Sequence, residues 1–389
     1  MANIEPGISP LRPGEQSALE AIIARALHFE EPGRMAYWMA GAGPEHYRVV
    51  RAGGRPVGGL AILRAGQWFG GQRVPMAGIG SLGIAPEWRG RGAASALLRG
   101  TLSELHETGI ALATLYPSTL PVYRKAGFEH AGNTLTYELT LAGLNSRPAL
   151  DVVPIATDEW QTLVPIRNRW VRQHNGGLDR NPFMWQKTVA PFGQEAYAYL
   201  IRRGDTPEGY FVYSQAGRKA PLQVLDWCVL DREAGLTFLA FLASDRAMTS
   251  TATLRGAPAE PILQLLPEPG VTINRLHPWL LRIVDVAGAL RARGYHPALT
   301  AELHFAVTDD LLPANCGNFV LRISAGRGDV ACGGTGQLRL DVRALAALYT
   351  SFLTAEQLAS IGALAGSMAD LALASLVFAG PPPRLVDAY

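Results

Sequence analysis

The sequence predicts three consecutive mixed units, α/β or α+β in class, and three observations carry that expectation. In the N-terminal part, strand-like runs give way to a helical pattern and then return to strands. The same alternation restarts after Asn145-Ser146-Arg147-Pro148, which reads as a linker, and a further set of strands and helices begins near Val286. The chain has 389 residues, a length that suits two or three domains, and 48% of them are hydrophobic, enough for a sizeable core. The boundaries expected from these shifts are residues 1–145, 146–285 and 286–389.

The first segment opens with a helix over Glu15–Leu27 and a polar break holding Glu30, Glu31, Pro32 and Gly33. Strands are expected over Tyr47–Arg51, Arg55–Leu63 and Met76–Ile84, punctuated by Gly53-Gly54 and Gly70-Gly71. After Pro86, Ala93, Ala96, Leu97, Leu102 and Leu105 recur at helical spacing through about Glu107. A strand over Ile110–Tyr116, a short helix over Pro121–Ala126 and closing strands over Phe128–His130 and Thr134–Leu141 complete the segment.

The second segment has a helix over Asp158–Arg172, then strands at Ala196–Ile201, Gly209–Tyr213 and Gln223–Val229. A helix over Glu233–Ala243 and a strand over Thr251–Leu254 follow, with no glycine-rich turn between strand and helix. In the third, a helix near Val286 precedes strands at Leu299–Val307, Asn318–Ser324 and Asp329–Gly333. Helices are expected over Val342–Thr350, Ala355–Ile361 and Ser367–Phe378.

Composition narrows the function. The net charge is +2, and no basic cluster interleaves with aromatics, so nucleic acid is not an expected partner. Charged residues make up 17%, against about a quarter in an average protein, so subunit contacts are expected to cover some apolar surface. Cys228, Cys316 and Cys332 form no CxxC pair, which fits a reducing cytosol. The start, Met1-Ala2-Asn3-Ile4-Glu5-Pro6, lacks the basic and apolar regions of a signal peptide. The apolar stretch Leu371–Gly380 is shorter than the roughly 18 residues needed to span a bilayer and reads as a buried helix. A soluble cytoplasmic protein with no membrane partner is expected. The eight histidines show no HExxH or paired-ligand spacing, so no metal is expected.

The chemistry concentrates in Arg89-Gly90-Arg91-Gly92-Ala93-Ala94, between a strand and a helix. Glycines there leave backbone N–H groups unobstructed at the positive end of the helix dipole, an arrangement suited to pyrophosphate. Arg89 and Arg91 add charge from the side. Alone, the stretch also reads as a solvated turn capping a helix. The Walker pattern fails because Ala93-Ala94 follows Gly92, and the GxGxxG pattern fails for want of a third glycine. What remains, Arg-x-x-Gly-x-Ala, resembles the pyrophosphate loop of GNAT acetyltransferases. Ser81-Leu82-Gly83-Ile84-Ala85-Pro86 supplies the strand before it, whose backbone suits pantetheine amides. Downstream, Tyr116-Pro117-Ser118-Thr119-Leu120-Pro121-Val122-Tyr123-Arg124-Lys125-Ala126-Gly127-Phe128 resembles the family's second signature.

Taken with Trp279-Leu280-Leu281-Arg282-Ile283-Val284-Asp285-Val286 and the aromatic C-terminus, these motifs make the whole chain resemble the enhanced-intracellular-survival (Eis) family. That resemblance implies two GNAT-like domains, the second degenerate, and a C-terminal sterol-carrier-protein-like α+β domain. It also implies a homohexamer that uses acetyl-CoA to acetylate amines of aminoglycosides, polyamines or lysine side chains. Gly90 and Ala93 stand where other members have larger residues. The cofactor-binding set carried over is Leu82, Gly83, Ile84, Arg89, Gly90, Arg91, Gly92, Ala93, Ala94 and Ser118.

Acetyl-CoA is an activated thioester, so direct attack needs a neutral amine, a polarised carbonyl and a proton for the departing thiolate. The first segment has no cysteine for a thiol relay. Tyr123 is the candidate general acid, since a phenol with a pKa near 10 matches a thiolate leaving group. By pattern alone it is a core aromatic, and the family context gives it the catalytic role. The same context implies that the C-terminal carboxylate of Tyr389 is the base; otherwise the end reads as a frayed tail. The run Pro381-Pro382-Pro383 stiffens that tail, and Leu385, Val386 and Tyr389 give it apolar anchors. Glu30, Glu31 and Asp387 are candidates for attracting a cationic amine, and Tyr37 and Trp38 for lining its cleft. Glu30 and Glu31 are also readable as a solvated pair, and the two aromatics as core. Two other functions fit the same motifs: a protein-lysine acetyltransferase and a non-catalytic coenzyme A or lipid carrier.

Overall fold

The computed structural model describes residues 7–144, 147–267 and 270–387. The Met1–Pro6 start, Asn145-Ser146 of the expected linker, and Tyr389 lie outside the described residues. The described residues form two compact units, one of 7–132 and Pro278–Pro381, the other lying within Asn133–His277 together with Pro382–Asp387.

The first unit begins with β1 (Ser9–Pro10), α1 (Gln16–Leu27), α2 (Arg34–Ala42), β2 (Tyr47–Ala52), β3 (Arg55–Phe69) and β4 (Gln72–Ile84). Then come α3 (Ala93–Glu107), β5 (Leu112–Leu115), α4 (Pro121–Lys125) and the start of β6 (Glu129–Thr140). The strands lie in the order β1-β2-β3-β4-β5, antiparallel except for the β4–β5 pair. Gly59 and Gly83 face each other across β3 and β4, and α1 rests on both. A Cβ on Gly83 would fall 2.9 Å from the Ile23 backbone, and one on Gly59 2.7 Å from Leu19, so side chains there would lift the helix. α3 buries Leu97, Leu98, Leu102 and Leu105 in a cluster with Val50, Leu60, Ile62 and Ala77. The two expected closing strands are one strand, β6, and α2 follows the polar break, where the sequence pattern predicted no element.

The second unit holds β7 (Asp151–Ile155), α5 (Val164–Val171), β8 (Leu178–Asp179), α6 (Pro182–Val189), β9 (Tyr197–Arg203) and β10 (Thr206–Ser214). β11 (Leu222–Val229), α7 (Arg232–Ser244) and β12 (Thr251–Gly256) follow, and the sheet order is β6-β12-β11-β10-β9-β7. The expected helix over Asp158–Arg172 divides into a 3-10 segment, Thr157–Leu163, and α5. Pro165 has no N–H and sits at the start of α5, where that donor is not missed.

β13 (Val271–Ile283) returns the chain to the first unit, where its residues Leu280–Ile283 pair with β5. α8 (Val286–Ala292), β14 (Ala301–Thr308), β15 (Gly317–Ser324), β16 (Arg327–Cys332), β17 (Leu338–Asp341), α9 (Val342–Tyr349), α10 (Ala355–Ser360), β18 (Leu364–Ala365) and α11 (Met368–Val377) follow. The strands form a separate sheet in the order β16-β15-β14-β17-β18. In α11 only one face is buried, with Leu371, Ala374 and Val377 inside while Met368 and Leu376 are exposed, which corrects the expectation of a buried helix. The Trp279–Val286 stretch is a clasp. Trp279 packs on Gly132, the Arg282 guanidinium lies against Gly127 and donates to Asp309 at 2.6 and 2.8 Å, and Asp285 caps α8.

Candidate active site

The site begins where β4 and β5 part. They pair only at Met76–Gly78 with Leu112–Thr114, after which β4 runs on through Leu82, Gly83 and Ile84. Just beyond the last pair, Ser81 and Leu82 face the single residue Leu60, a bulge with Ser81 at φ 52°. Bulge and parting leave one edge of β4 unpaired with β5.

That edge leads into the glycine turn. Gly90 and Gly92 have φ of 72° and 86°, a conformation costly for other residues. A Cβ at either would meet nothing within 4 Å, so open space lies above the turn. Gly92 is the N-cap of α3, with no side-chain cap and no acid in the first turn. The first N–H groups of this 15-residue helix therefore face outward without intrahelical acceptors. Arg89 and Arg91 are exposed beside them, with the Arg91 guanidinium 5.1 Å from the Trp88 ring centroid. Bare amide donors, a helix N-terminus and two cations fit the pyrophosphate of coenzyme A.

The corresponding helix of the second unit is closed to an anion. α7 also follows a strand, β11, but Asp231 caps it by accepting from the Ala234 N–H at 2.7 Å, and Glu233 occupies its first turn. Carboxylates stand where a phosphate would have to lie, a physical sense in which this domain is degenerate.

Tyr123 sits on α4, which Pro121 opens and Gly127, at φ 82°, ends. The turn brings Phe128 back onto Tyr123, edge to face at 6.1 Å, with the Phe128 N–H donating to the Tyr123 carbonyl. The Tyr123 ring is 5% exposed and shares a cluster with Ala93, Leu97 and Leu115. Burial pushes its phenol up from the ordinary value, opposed by a hydrogen bond with the exposed Ser118. The ring is core, and the hydroxyl is a protonated donor at neutral pH.

The other expected residues are placed separately. Glu30 and Glu31 are exposed in the turn between α1 and α2, and Glu31 is ion-paired with Arg34. Tyr37 and Trp38 are half-buried on α2, and Trp38 packs against a cluster holding Met35, Met39 and Tyr47. Asp387 requires a correction. It belongs to the second unit, is buried, and is held by Arg180 at 2.5 Å and Arg167 at 2.9 Å. Saturated by two guanidiniums, it is not free to attract a cationic substrate. No local pattern marks those arginines, because Asp387 lies 207 residues from Arg180 and 220 from Arg167, and their other partner, Asp226, lies 46 and 59 residues away. Among the described residues no trio of His, Cys, Asp or Glu is placed to hold a metal ion, and no helix is long and apolar enough to cross a membrane.

Comparison with known proteins assigns the domains to families. Residues 8–131 and 176–283 each match an acetyltransferase (GNAT) domain family, and residues 286–386 match the sterol carrier protein domain family. The chain superposes on a GCN5-related N-acetyltransferase from Anabaena variabilis with a TM-score of 0.95 and 37% identity, covering 98% of this chain and 99% of that one. It is 28% identical to N-acetyltransferase Eis of Mycobacterium tuberculosis, over 75% of this chain and 74% of the relative. Eis1 from Mycobacterium abscessus shares the fold, with a TM-score of 0.81 at 22% identity, covering 98% of this chain and 99% of that one. The chain is an acetyl-CoA-dependent N-acetyltransferase of the GNAT family, Eis-like in joining two GNAT domains to a sterol-carrier-protein-like domain.

Proposed function

We propose that this enzyme transfers acetyl directly to the amine of a small cationic acceptor, an aminoglycoside, a polyamine or a similar compound. Tyr123 is the general acid and the C-terminal carboxylate of Tyr389 the base. The observation that carries the reading is the open, uncapped Gly90–Gly92 turn at the end of the parted β4 edge, with the protonated Tyr123 phenol in the cluster beneath α3.

Bound acetyl-CoA supplies an acyl group activated as a thioester. Backbone groups of Leu82, Gly83 and Ile84 receive its amide arm. The N–H groups of Gly90, Gly92, Ala93 and Ala94, with Arg89 and Arg91, hold its phosphates, and Ser118 orients the Tyr123 hydroxyl. Tyr123 donates its proton to the departing sulfur. The terminal carboxylate, ordinarily near pKa 3.5, is ionised at neutral pH and accepts the proton of the attacking amine, directly or through water. Glu30 and Glu31 offer negative charge to the acceptor from the α1–α2 turn, and Tyr37 and Trp38 line its approach. The enzyme works as a homohexamer in the cytoplasm, and exposed Met368 and Leu376, on one helix, offer apolar surface for a subunit contact.

The test compares a C-terminal tag, deletion of Ala388-Tyr389, Tyr389→Phe and Tyr123→Phe by steady-state kinetics on a panel of amines. The tag and the deletion should abolish turnover while calorimetry shows intact coenzyme A binding. Tyr389→Phe should stay active. Tyr123→Phe should lower kcat by about 100-fold at unchanged stability, within the range of general acid catalysis. Normal turnover by the shortened chain would refute the carboxylate base, and a Tyr123→Phe rate within about twofold of wild type would leave Tyr123 a packing residue.

A further inference from the structure

The second unit repeats the strand–helix–strand arrangement of the catalytic domain in β11–α7–β12, down to the parting of the strands. β11 and β12 run parallel but pair only at Leu222–Gln223 with Ala252–Thr253. As on β4, the strand entering the helix then carries an extra residue: Val212 and Tyr213 are neighbours, but their partners Asp226 and Val224 are separated by Leu225. In the first unit the parting leads to an open phosphate turn. In the second, the turn is closed by Asp231 and Glu233, and the tail residue Arg384 lies against both strands beyond their last pair.

Two tail side chains make the fit. Arg384 is 3% exposed. Its guanidinium lies 4.2 Å from the Trp170 ring centroid and 4.9 Å from that of Trp227 on β11. It donates to Glu260 at 2.5 Å and to the Arg255 carbonyl of β12 at 3.4 Å, so it touches both parted strands. Its backbone N–H donates to the Asn175 carbonyl at 2.6 Å, and Thr134 donates to the carbonyl of Leu385. Asp387 closes a buried square of charge. Arg167 and Arg180 each contact both Asp387 and Asp226 of β11, and Tyr210 donates to Asp226 at 2.7 Å. Two cations face two anions only while Asp387 is present. Without it, two buried guanidiniums would share one carboxylate, a strongly unfavourable state.

We propose that the wedge which takes the cofactor in a catalytic GNAT domain serves, in this second domain, as a socket for the chain's own C-terminal tail. Arg384 and Asp387 are then positioning residues that fix the chain end two residues past the socket. The positioning role rests on the reading of the Tyr389 carboxylate as the base; the socket does not.

The test uses full-length Asp387→Asn, which keeps shape and loses charge, and Arg384→Lys, which keeps charge and loses the planar stack. Carboxypeptidase should release Tyr389 about 10-fold faster or more from each than from wild type, since cleavage follows the population of the opened tail. In the same proteins kcat should fall about 10-fold or more, since small displacements of a catalytic group cost that much. Their coenzyme A Kd should stay within about twofold, as expected of separate sites. Faster release with unchanged kcat would overturn the positioning role, while the carboxylate base is decided separately by turnover of the chain lacking Ala388-Tyr389. Tyr389 release at the wild-type rate from both variants would overturn the socket itself. Should either variant fold poorly, hydrogen exchange in wild type decides: the Arg384 amide is expected among the protected ones, and exchange at the rate of an open chain would overturn the socket.

Discussion

At the residue scale, the site depends on what is missing as much as on what is present. Gly92 lacks a Cβ, adopts φ 86°, and caps α3 with no side chain of its own. Both Gly92→Asp and Gly92→Asn impose left-handed strain of about 1–2 kcal/mol on the fold. Only Asp adds a negative charge against phosphate. Calorimetry should find coenzyme A affinity reduced about 100-fold or more in Gly92→Asp and less in Gly92→Asn, since opposed like charges cost several kcal/mol. Equal affinities in the two variants would remove charge at the helix N-terminus from the account. Gly92 was legible in the sequence because so few residues suit that turn. Tyr123 was legible only as a motif, because a buried aromatic on a five-residue helix has no pattern that sets it apart from core.

At the scale of elements, α3 and α7 follow similar strands and differ at one end. Asp231 has spent its side chain on capping α7, so Asp231→Ala should destabilise the protein by about 1 kcal/mol, the usual worth of such a cap. Urea denaturation would show this as a lower midpoint, with coenzyme A affinity unchanged because α3 is untouched. Lost affinity in a folded Asp231→Ala protein would mean that the second domain contributes to cofactor binding. The strands and helices with steady apolar periodicity, such as α3 and β11, were readable from the sequence. α2 was not: Arg-Met-Ala-Tyr-Trp-Met-Ala-Gly-Ala carries glycines at Gly33 and Gly43 on both flanks and no side-chain cap, so no start signal marks it.

At the scale of the whole molecule, buried charge sets the response to pH. Lys187 lies in the cluster with Asp387 and Arg180, and burial above all pulls its pKa down to about 7, helped by the cations Arg180 and Arg255 and opposed by Asp387. In the unfolded chain its pKa returns to about 10.4. Between those values the unfolded state holds a proton that the folded state has released, so stability should rise with pH by up to about 1.4 kcal/mol per unit. Below about pH 7 both states are protonated and this contribution to the slope vanishes. Urea midpoints from pH 7 to 9.5 should climb in wild type and climb less in Lys187→Met, where the titrating group is gone. Parallel profiles for the two proteins would show that Lys187 is not buried in its neutral form.

The sequence by itself determined the class of fold, the family and the glycine turn between strand and helix, because each rests on local signals: periodicity, paired glycines, and motif spacing along a single strand–turn–helix. Only the tertiary structure decided which charges are buried together. Arg167, Arg180, Asp226 and Asp387 are spread along the chain, and each alone reads as a surface residue. The pairing that makes their burial tolerable exists only once β11 is in its sheet and the tail lies in the wedge, so Asp387 changed from a candidate substrate contact into part of a socket.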